Sequence, residues 1–358
     1  MAQHTFEGYA VVESIGEGGF ASVYLATSDA TGDEVAIKCF ASEHGKAVDE
    51  EKAANELAVL KLLGEGHPNV VRLLDVVEDE RGVTALALEH CGGGDLISLI
   101  QKTDFNAQDA AAERSAYAVW REVVAGVAHM HTCGTAHLDL KPQNVLLCEP
   151  VGDAAHGRAA ICDFSHSFVG PADSAVVPPD QVGAGKYMAP EVGSGAPYAG
   201  GPADVWSLGV ILYTMLTSKL PFEGDDHKGR GEWRQLTWIS AALAELFSAI
   251  FTVDVGRRAS IDYVRTSEWW RAMEKAGGES TDGASPNGRR GNTANSTRSA
   301  GGDSESDAMS YQEYESDGEA ADGLGGNPEL SRLAMVQEEG ASFSFSRGAS
   351  ILEGEEDF

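Results

Sequence analysis

The segment HLDLKPQNVLL at residues 137–147 sets a carboxylate (Asp139), an ammonium (Lys141) and a carboxamide (Asn144) in D-x-K-x-x-N spacing among apolar residues. Such a set can accept a proton, steady an anion and ligate a hard cation. It can equally be the polar trim of a turn before a strand, and the segment alone does not decide. Two other groups could do related chemistry. Lys38 ends the apolar run VAIK, where burying an ammonium is costly without a partner. Glu56 stands among apolar neighbours in NELAVLKLL. A strand-to-helix pair of the two would hold the ammonium on phosphates; otherwise Lys38 snorkels to water and Glu56 is a solvated helix residue. Earlier in the chain, IGEGGFASVY (Ile15–Tyr24) is a glycine loop followed by SVYLATS, a strand-like alternation. A dinucleotide site needs a helix there. Strand, glycines and strand make a hairpin, in which Gly16 and Gly18 either bring backbone N–H groups close to phosphate oxygens or serve the turn alone.

The elements that must carry these groups differ along the chain. Residues 9–89 hold short β-like runs, YAVVESI, ASVYLATS, EVAIKCF, VVRLLDVV and VTALALEH, interrupted by one helical stretch, DEEKAANELAVLKLL. Beyond Gly94 the apolar spacing is mainly helical, as in AERSAYAVWREVVAGVAHMHTC and ADVWSLGVILYTMLT. A strand-rich part followed by a helix-rich part predicts an α+β, two-lobed architecture with a cleft at the join, near Glu89 to Gly94.

Composition sets the outer bounds. The 358 residues are 42% hydrophobic and carry a formal charge of -30, which argues against nucleic acid or anionic lipid as the main partner. The sequence lacks a membrane-length apolar run and a signal-peptide start, so a soluble intracellular protein, cytoplasmic or nuclear, is expected. Five scattered cysteines without a C-x-x-C pair read as small buried hydrophobes, with neither a zinc site nor a disulfide framework. Apolar density ends near EWWRAMEKAGG, and from Gly277 the composition is that of a disordered tail. Between Asp303 and Phe358, 15 acidic residues face two arginines. PELSRLAMVQ and ASFSFSRGASIL are its apolar islands, either inert or a docking or autoinhibitory peptide, and Ser304 and Ser350 are candidate phosphorylation sites.

In order, the chain holds the glycine hairpin, VAIK, the isolated Glu56, HLDLKPQN, CDF at 162–164, MAPE at 188–191 and DVWSLG at 204–209. This series resembles the eukaryotic protein kinase family over about residues 9–272, with a lobe boundary at 89/90 and the tail from 273. The resemblance implies a small antiparallel β-sheet lobe with one helix, a larger mainly helical lobe, ATP and Mg²⁺ as cofactors, protein substrates and a monomeric chain. Lys141 followed by Pro142 resembles the serine/threonine branch. By the same resemblance Asp139 accepts or orients the substrate hydroxyl proton, Lys141 and Lys38 steady phosphates, and Asn144 and Asp163 hold Mg²⁺. Ile15, Gly16, Glu17, Gly18 and Gly19 cover the nucleotide, and Val23, Ala36 and Leu146 sandwich the adenine. Glu89 and Cys91 form the hinge, Leu88 guards the pocket behind it, and Asp95 lies at the same edge. Leu60, Leu73, His137 and Phe164 are the implied packed column between lobes, and Glu191 and Arg258 an implied buried ion pair.

Departures from the family pattern bear on activity. Leu138 stands where an arginine usually precedes the catalytic Asp and pairs with an activation-segment phosphate, so activity without phosphorylation of residues 163–191 is expected. Ser165 replaces the Gly after Asp-Phe, either restricting a backbone flip or displacing Asp163. Ala184 replaces a Thr whose hydroxyl normally bonds near Asp139 and Lys141, and Ala21 replaces a third glycine. A catalytically silent scaffold is therefore the rival to an active kinase. Of three positions that favour basic substrates, here Gln143, Asp95 and Thr214, one is acidic, which implies at most a weak preference for an upstream Arg; Asp95 alternatively caps the helix LISLIQK.

Overall fold

The computed structural model describes residues 5–17, 21–40, 50–64, 66–78, 84–102, 108–148, 158–170, 175–176 and 185–278. The expectations for Gly18 and Gly19, Ala184 and the acidic tail from 279 lie outside these residues.

Five strands form one antiparallel sheet: β1 (Tyr9–Glu17), β2 (Ser22–Ser28), β3 (Glu34–Cys39), β4 (Leu73–Glu78) and β5 (Thr84–Glu89), in spatial order β1-β2-β3-β5-β4. The register places Val23 beside Lys38 and Lys38 beside Leu86, and Leu25 beside Ala36 and Ala36 beside Leu88. Cross-strand partners share a face, so these six residues look one way. Tyr24, Ala26, Val35, Ile37, Cys39 and Ala85 look the other way and pack with Phe6 and Val77 into a small separate core. One helix, α1 (Glu50–Leu63), buries Ala53, Glu56, Val59, Leu60 and Leu63. These recur at helical spacing, so Glu56 lies inside the buried stripe rather than opposite it.

The run VVRLLDVV does not form one strand. Its first two residues leave the sheet: Val70 bridges Ile161, and the Val71 N–H donates to Ile161 O at 2.9 Å. Asn69 adds a bond from its Nδ2 to Ala159 O at 2.7 Å. This connection runs against Gly126, where a Cβ would lie 2.5 Å from Asn69 O. Glycine there permits the contact, which ties the end of α1 to the helical part of the chain.

The helical part comprises α2 (Leu96–Lys102), α3 (Ala110–Thr132), α4 (Gly200–Thr217), α5 (Asp225–Arg230), α6 (Ala241–Ile250), α7 (Ile261–Thr266) and α8 (Glu268–Gly278). Short strand pairs complete it: β6 (Thr135–Ala136) with β9 (Phe168–Val169), β7 (Val145–Leu147) with β8 (Ala159–Ile161), and β10 (Ala175–Val176) with β11 (Tyr198–Ala199). Asp109 caps α3 by accepting from Ala111 and Ala112 N–H. Helix α4 is buried from Gly200 to Leu216 except at Pro202, as its apolar surround requires. Helix α8 ends at Gly278, about where the apolar density of the sequence ends, and Trp269, Trp270 and Met273 form its packed face.

Two buried charges lock this part. Glu113 accepts from Ser240 N–H, Ser240 Oγ and Trp269 Nε1 at 2.6, 2.8 and 2.8 Å, so its carboxylate is satisfied. Arg258 grips Glu191 with both ends of its fork, at 2.6 and 2.8 Å, donates to Thr252 O and Pro202 O, and stacks on Trp206 at 4.9 Å. Arg258→Ala is expected to destabilise the fold by about 3–5 kcal/mol, because Glu191 is left unpaired. Urea denaturation followed by tryptophan fluorescence measures it, and a variant within error of the parent would refute the role.

Candidate active site

Above the cleft lies the sheet face with Val23, Ala36, Lys38 and Leu88, an apolar roof pierced by one ammonium. Gly16 faces Val23, where a Cβ would make ordinary van der Waals contact at 3.5 Å. Ile15 and Glu17, also assigned to this roof, are exposed on β1. The connection after β5 is stitched to β7: Gly93 N–H donates to Leu147 O at 2.7 Å, and Leu147 N–H to Gly94 O at 2.8 Å. Leu146, the assigned floor, therefore sits next to the hinge and bridges Asp95. Asp95 Oδ1 accepts from Ser98 N–H at 2.8 Å, so it caps α2. Thr214, another of the three substrate-facing positions considered, is buried with its hydroxyl on Val210 O. Glu89 pairs with Arg158, which also reaches Pro68 O.

One expectation about this hinge is overturned. Cys91 and Cys148 form a disulfide, whereas composition suggested only separate buried thiols. The 57-residue separation hid the pairing, which follows from the stitching of hinge to β7. Cys39, Cys133 and Cys162 take no part in a disulfide, and burial pushes the Cys162 thiol far above its usual range, which keeps it protonated and inert.

At the back of the cleft Lys38 Nζ lies 2.6 Å from Glu56 Oε2 and 2.8 Å from Asp163 Oδ1. The strand-to-helix alternative is the one the chain adopts. Burial alone would lower the Lys38 pKa, but the two carboxylates more than reverse this and raise it. Burial would likewise raise Asp163, yet Lys38 and a hydrogen bond from Ser165 hold its carboxyl well below the usual range. Both groups are therefore charged at neutral pH.

Below, Lys141 Nζ donates to Asp139 Oδ2 at 2.9 Å, and Asn144 Nδ2 donates to Asp139 O and Oδ2 at 2.9 and 3.2 Å. The three residues of D-x-K-x-x-N thus converge, helped by the 3₁₀ turn Pro142–Asn144. His137 Nε2 donates to Cys162 O at 3.1 Å, and its Nδ1 accepts from Asp139 N–H at 3.2 Å, so one neutral tautomer satisfies both. That imidazole joins the loop bearing Asp139 to the segment bearing Asp163. Its ring also lies 5.6 Å from that of Phe164, within the core that includes Leu60 and touches Leu73.

Sequence reasoning missed the support of this loop. Leu138 sits at φ 66°, a left-handed conformation unfavourable for a branched side chain. The buried carboxylate of Asp204 holds it there, accepting from His137 N–H and Leu138 N–H at 2.8 and 2.9 Å, with His131 Nε2 at 2.8 Å. Asp204 opens the DVWSLG motif and is a lone carboxylate in an apolar helix, but neither signal says which amides it holds. The Leu138 side chain itself packs on the core.

The donor set fits a hard cation. Asn144 spends both Nδ2 protons on Asp139, which leaves its Oδ1 as the ligating atom, and Asp163 supplies a charged oxygen. Among the described residues no cluster of three or more His, Cys, Asp or Glu could hold a metal. Two protein oxygens completed by phosphate and water are what Mg²⁺ commonly takes. Lys38→Ala would leave Glu56 and Asp163 facing each other, at an expected cost of about 3 kcal/mol. Burial already raises the Glu56 carboxyl against the opposing pull of Lys38, and removing that ammonium raises it further, so the added stability is present at low pH and lost as pH rises. Thermal melts from pH 7 down to pH 5 should therefore narrow the gap to the parent; a gap that widens would contradict the arrangement.

Comparison with known proteins agrees with this geometry. The protein kinase domain family model matches residues 9–270. The chain is 31% identical to "Probable serine/threonine-protein kinase MARK-C" of Dictyostelium discoideum, over 73% of this chain and 33% of that protein. It is 33% identical to "Maternal embryonic leucine zipper kinase" of Xenopus tropicalis, over 73% of this chain and 39% of that one. "CBL-interacting serine/threonine-protein kinase 24" of Arabidopsis thaliana is also 33% identical, over 74% of this chain and 57% of the relative. The chain thus spans well under two thirds of the length of each. A sheet lysine clasped between a helix glutamate and an aspartate, above an aspartate-lysine-asparagine loop, coincides with the matched span, and the chain belongs to the protein kinase domain family.

Proposed function

We propose that this chain transfers the γ-phosphate of Mg-ATP to serine or threonine hydroxyls of protein substrates. The observation that carries the reading is the assembled charge pattern: Lys38 bonded to both Glu56 and Asp163, with Asp139, Lys141 and Asn144 in mutual contact. Phosphoryl transfer asks the protein for alignment and charge stabilisation rather than covalent work. Lys38 presents its ammonium to the nucleotide phosphates, and Glu56 fixes its direction. Asp139 orients the acceptor hydroxyl and takes up its proton, while Lys141 neutralises charge on the transferring group. Asn144 and Asp163 hold the cation. When bound, Mg²⁺ offsets the negative charge of the phosphates and fixes their position. Serine/threonine direction is supported by Lys141-Pro142 and by the relatives' names.

Phosphate transfer from labelled ATP to a generic acceptor protein tests this. Asp139→Asn is expected to lose about 10²–10⁴-fold, the contribution of a general base. Equal counts from parent and variant would favour a nucleotide-binding scaffold that signals through contacts.

The activation segment bears on regulation. Position 138 offers no guanidinium, and Ser165 and Ser167 are 8% and 5% exposed, hence shielded from a modifying enzyme. Phosphatase treatment should leave the transfer rate unchanged. A loss mapped by mass spectrometry to residues 163–191 would overturn that expectation.

A further inference from the structure

Asp163 has a φ of 64°, left-handed and unfavourable for a residue other than glycine. Something must hold it. Lys38 bonds one oxygen, and Ser165 Oγ donates to that same Oδ1 at 2.8 Å. The serine hydroxyl has one proton and gives it to an acceptor-only carboxylate. His166 Nδ1, 3.1 Å from Ser165 Oγ, must therefore be the donor of that contact. The order of donation is His166 to Ser165 to Asp163, each bond polarising the next.

A second set of bonds works on the backbone. Asn55, which precedes Glu56 on α1, directs its Nδ2 at three carbonyl oxygens: Phe164 at 3.3 Å, Ser165 at 3.2 Å and Ser167 at 2.8 Å. Ser167 N–H closes a turn onto Phe164 O at 3.0 Å. The segment from 163 to 167 is thus pinned to α1 by the residue adjacent to the one that pairs with Lys38.

Resting on the kinase reading, we propose that Asn55, Ser165 and His166 are positioning residues that form a neutral latch. The latch keeps Asp163 in its cation-binding orientation and α1 docked, the task that an arginine at position 138 would share with a phosphate. The glycine that usually follows Asp-Phe has no hydroxyl for this. Ser165 is therefore neither a mere restriction on backbone flipping nor a displacement of Asp163, the two outcomes its Cβ suggested; its hydroxyl is a part of the site.

The full-length chain tests this through Ser165→Ala, Asn55→Ala and His166→Ala, with Ser165→Thr as the conservative rescue. In nucleotide-free protein, amide hydrogen exchange of residues 163–168 is expected to speed up about tenfold in the Ser165 and Asn55 variants and by less in His166→Ala, with the rest of the domain unchanged. The Mg²⁺ concentration that half-saturates binding of a fluorescent ATP analogue should rise about tenfold in Ser165→Ala, the weight of one hydrogen bond to a charged group. KM for an acceptor peptide should hold, and Ser165→Thr should restore both readouts. Unchanged exchange and an unchanged Mg²⁺ midpoint would overturn the latch, as would faster exchange throughout the domain, which marks a general loss of stability. Asp163→Asn separates the two levels of inference. If the parent itself shows no Mg²⁺-dependent nucleotide binding and matches Asp163→Asn, the kinase reading fails and the latch with it; if the parent binds and Ser165→Ala matches it, the latch alone fails.

Discussion

One ammonium between two carboxylates is the contact on which the rest of this site depends. Lys38 comes from β3, Glu56 from α1 and Asp163 from the segment after β8. No two of them are near in sequence, and each is a poor resident of a buried site alone. Desolvating a single charge costs several kcal/mol, so the arrangement is tolerable only when all three arrive together. Docking of α1 and placement of Asp163 are thereby linked through a shared cation. The charge count matters too: one positive and two negative groups leave the cluster net negative, which favours a further cation beside Asp163.

Two residues near this contact occupy left-handed backbone, Leu138 and Asp163, and the chain holds them by different means. Such conformations cost on the order of 1–3 kcal/mol each and persist only where their surroundings over-determine them. Leu138 is fixed by the Asp204 carboxylate on helix α4, whose residues are almost all buried. That support is rigid, since Asp204 is 1% exposed and its helix is enclosed on all sides. Asp163 is fixed by side chains on the cleft-facing segment and on α1, which packs at the edge of the core. The loop bearing Asp139 is therefore built to stay, and the segment bearing Asp163 is held by bonds that can be broken without unfolding the helices.

Most of the scaffold was legible because it rests on short-range periodicity. The alternation in ASVYLATS and EVAIKCF gave the sheet, and the helical stretch DEEKAANELAVLKLL gave α1. The principal site residues were visible as chemical types in unusual company: a lysine in an apolar strand, a glutamate in an apolar stripe, three polar residues in a tight run. Contacts that depend on where separate loops cross were not. Val70 and Val71 read as strand residues, since nothing local says that they leave the sheet for Ile161. The Cys91–Cys148 disulfide and the three carbonyls gathered by Asn55 have the same character. An asparagine beside a glutamate on a helix is unremarkable until the partner segment is placed. Asp204 lies between the two cases, conspicuous in type but silent as to which amides it would hold.

Leu138 and Ser165 look in the sequence like two independent losses, an arginine and a glycine. In space they belong together. A guanidinium at position 138 would need an anion, because a charge left unpaired in a partly buried position is strongly unfavourable. Leucine removes that demand and packs on the core instead. What is then lacking is a means of ordering the segment after Asp163, and the serine hydroxyl with the Asn55 carboxamide supplies one made of neutral donors. Such bonds are short-ranged and little affected by ionic strength, whereas a phosphate-arginine pair is long-ranged, screened by salt and removable by hydrolysis. Exchanging one for the other trades a switch that can be written and erased for a geometry present from folding onward. A single substitution would be expected to damage the site; the pair, with Asn55 in reach, is chemically consistent.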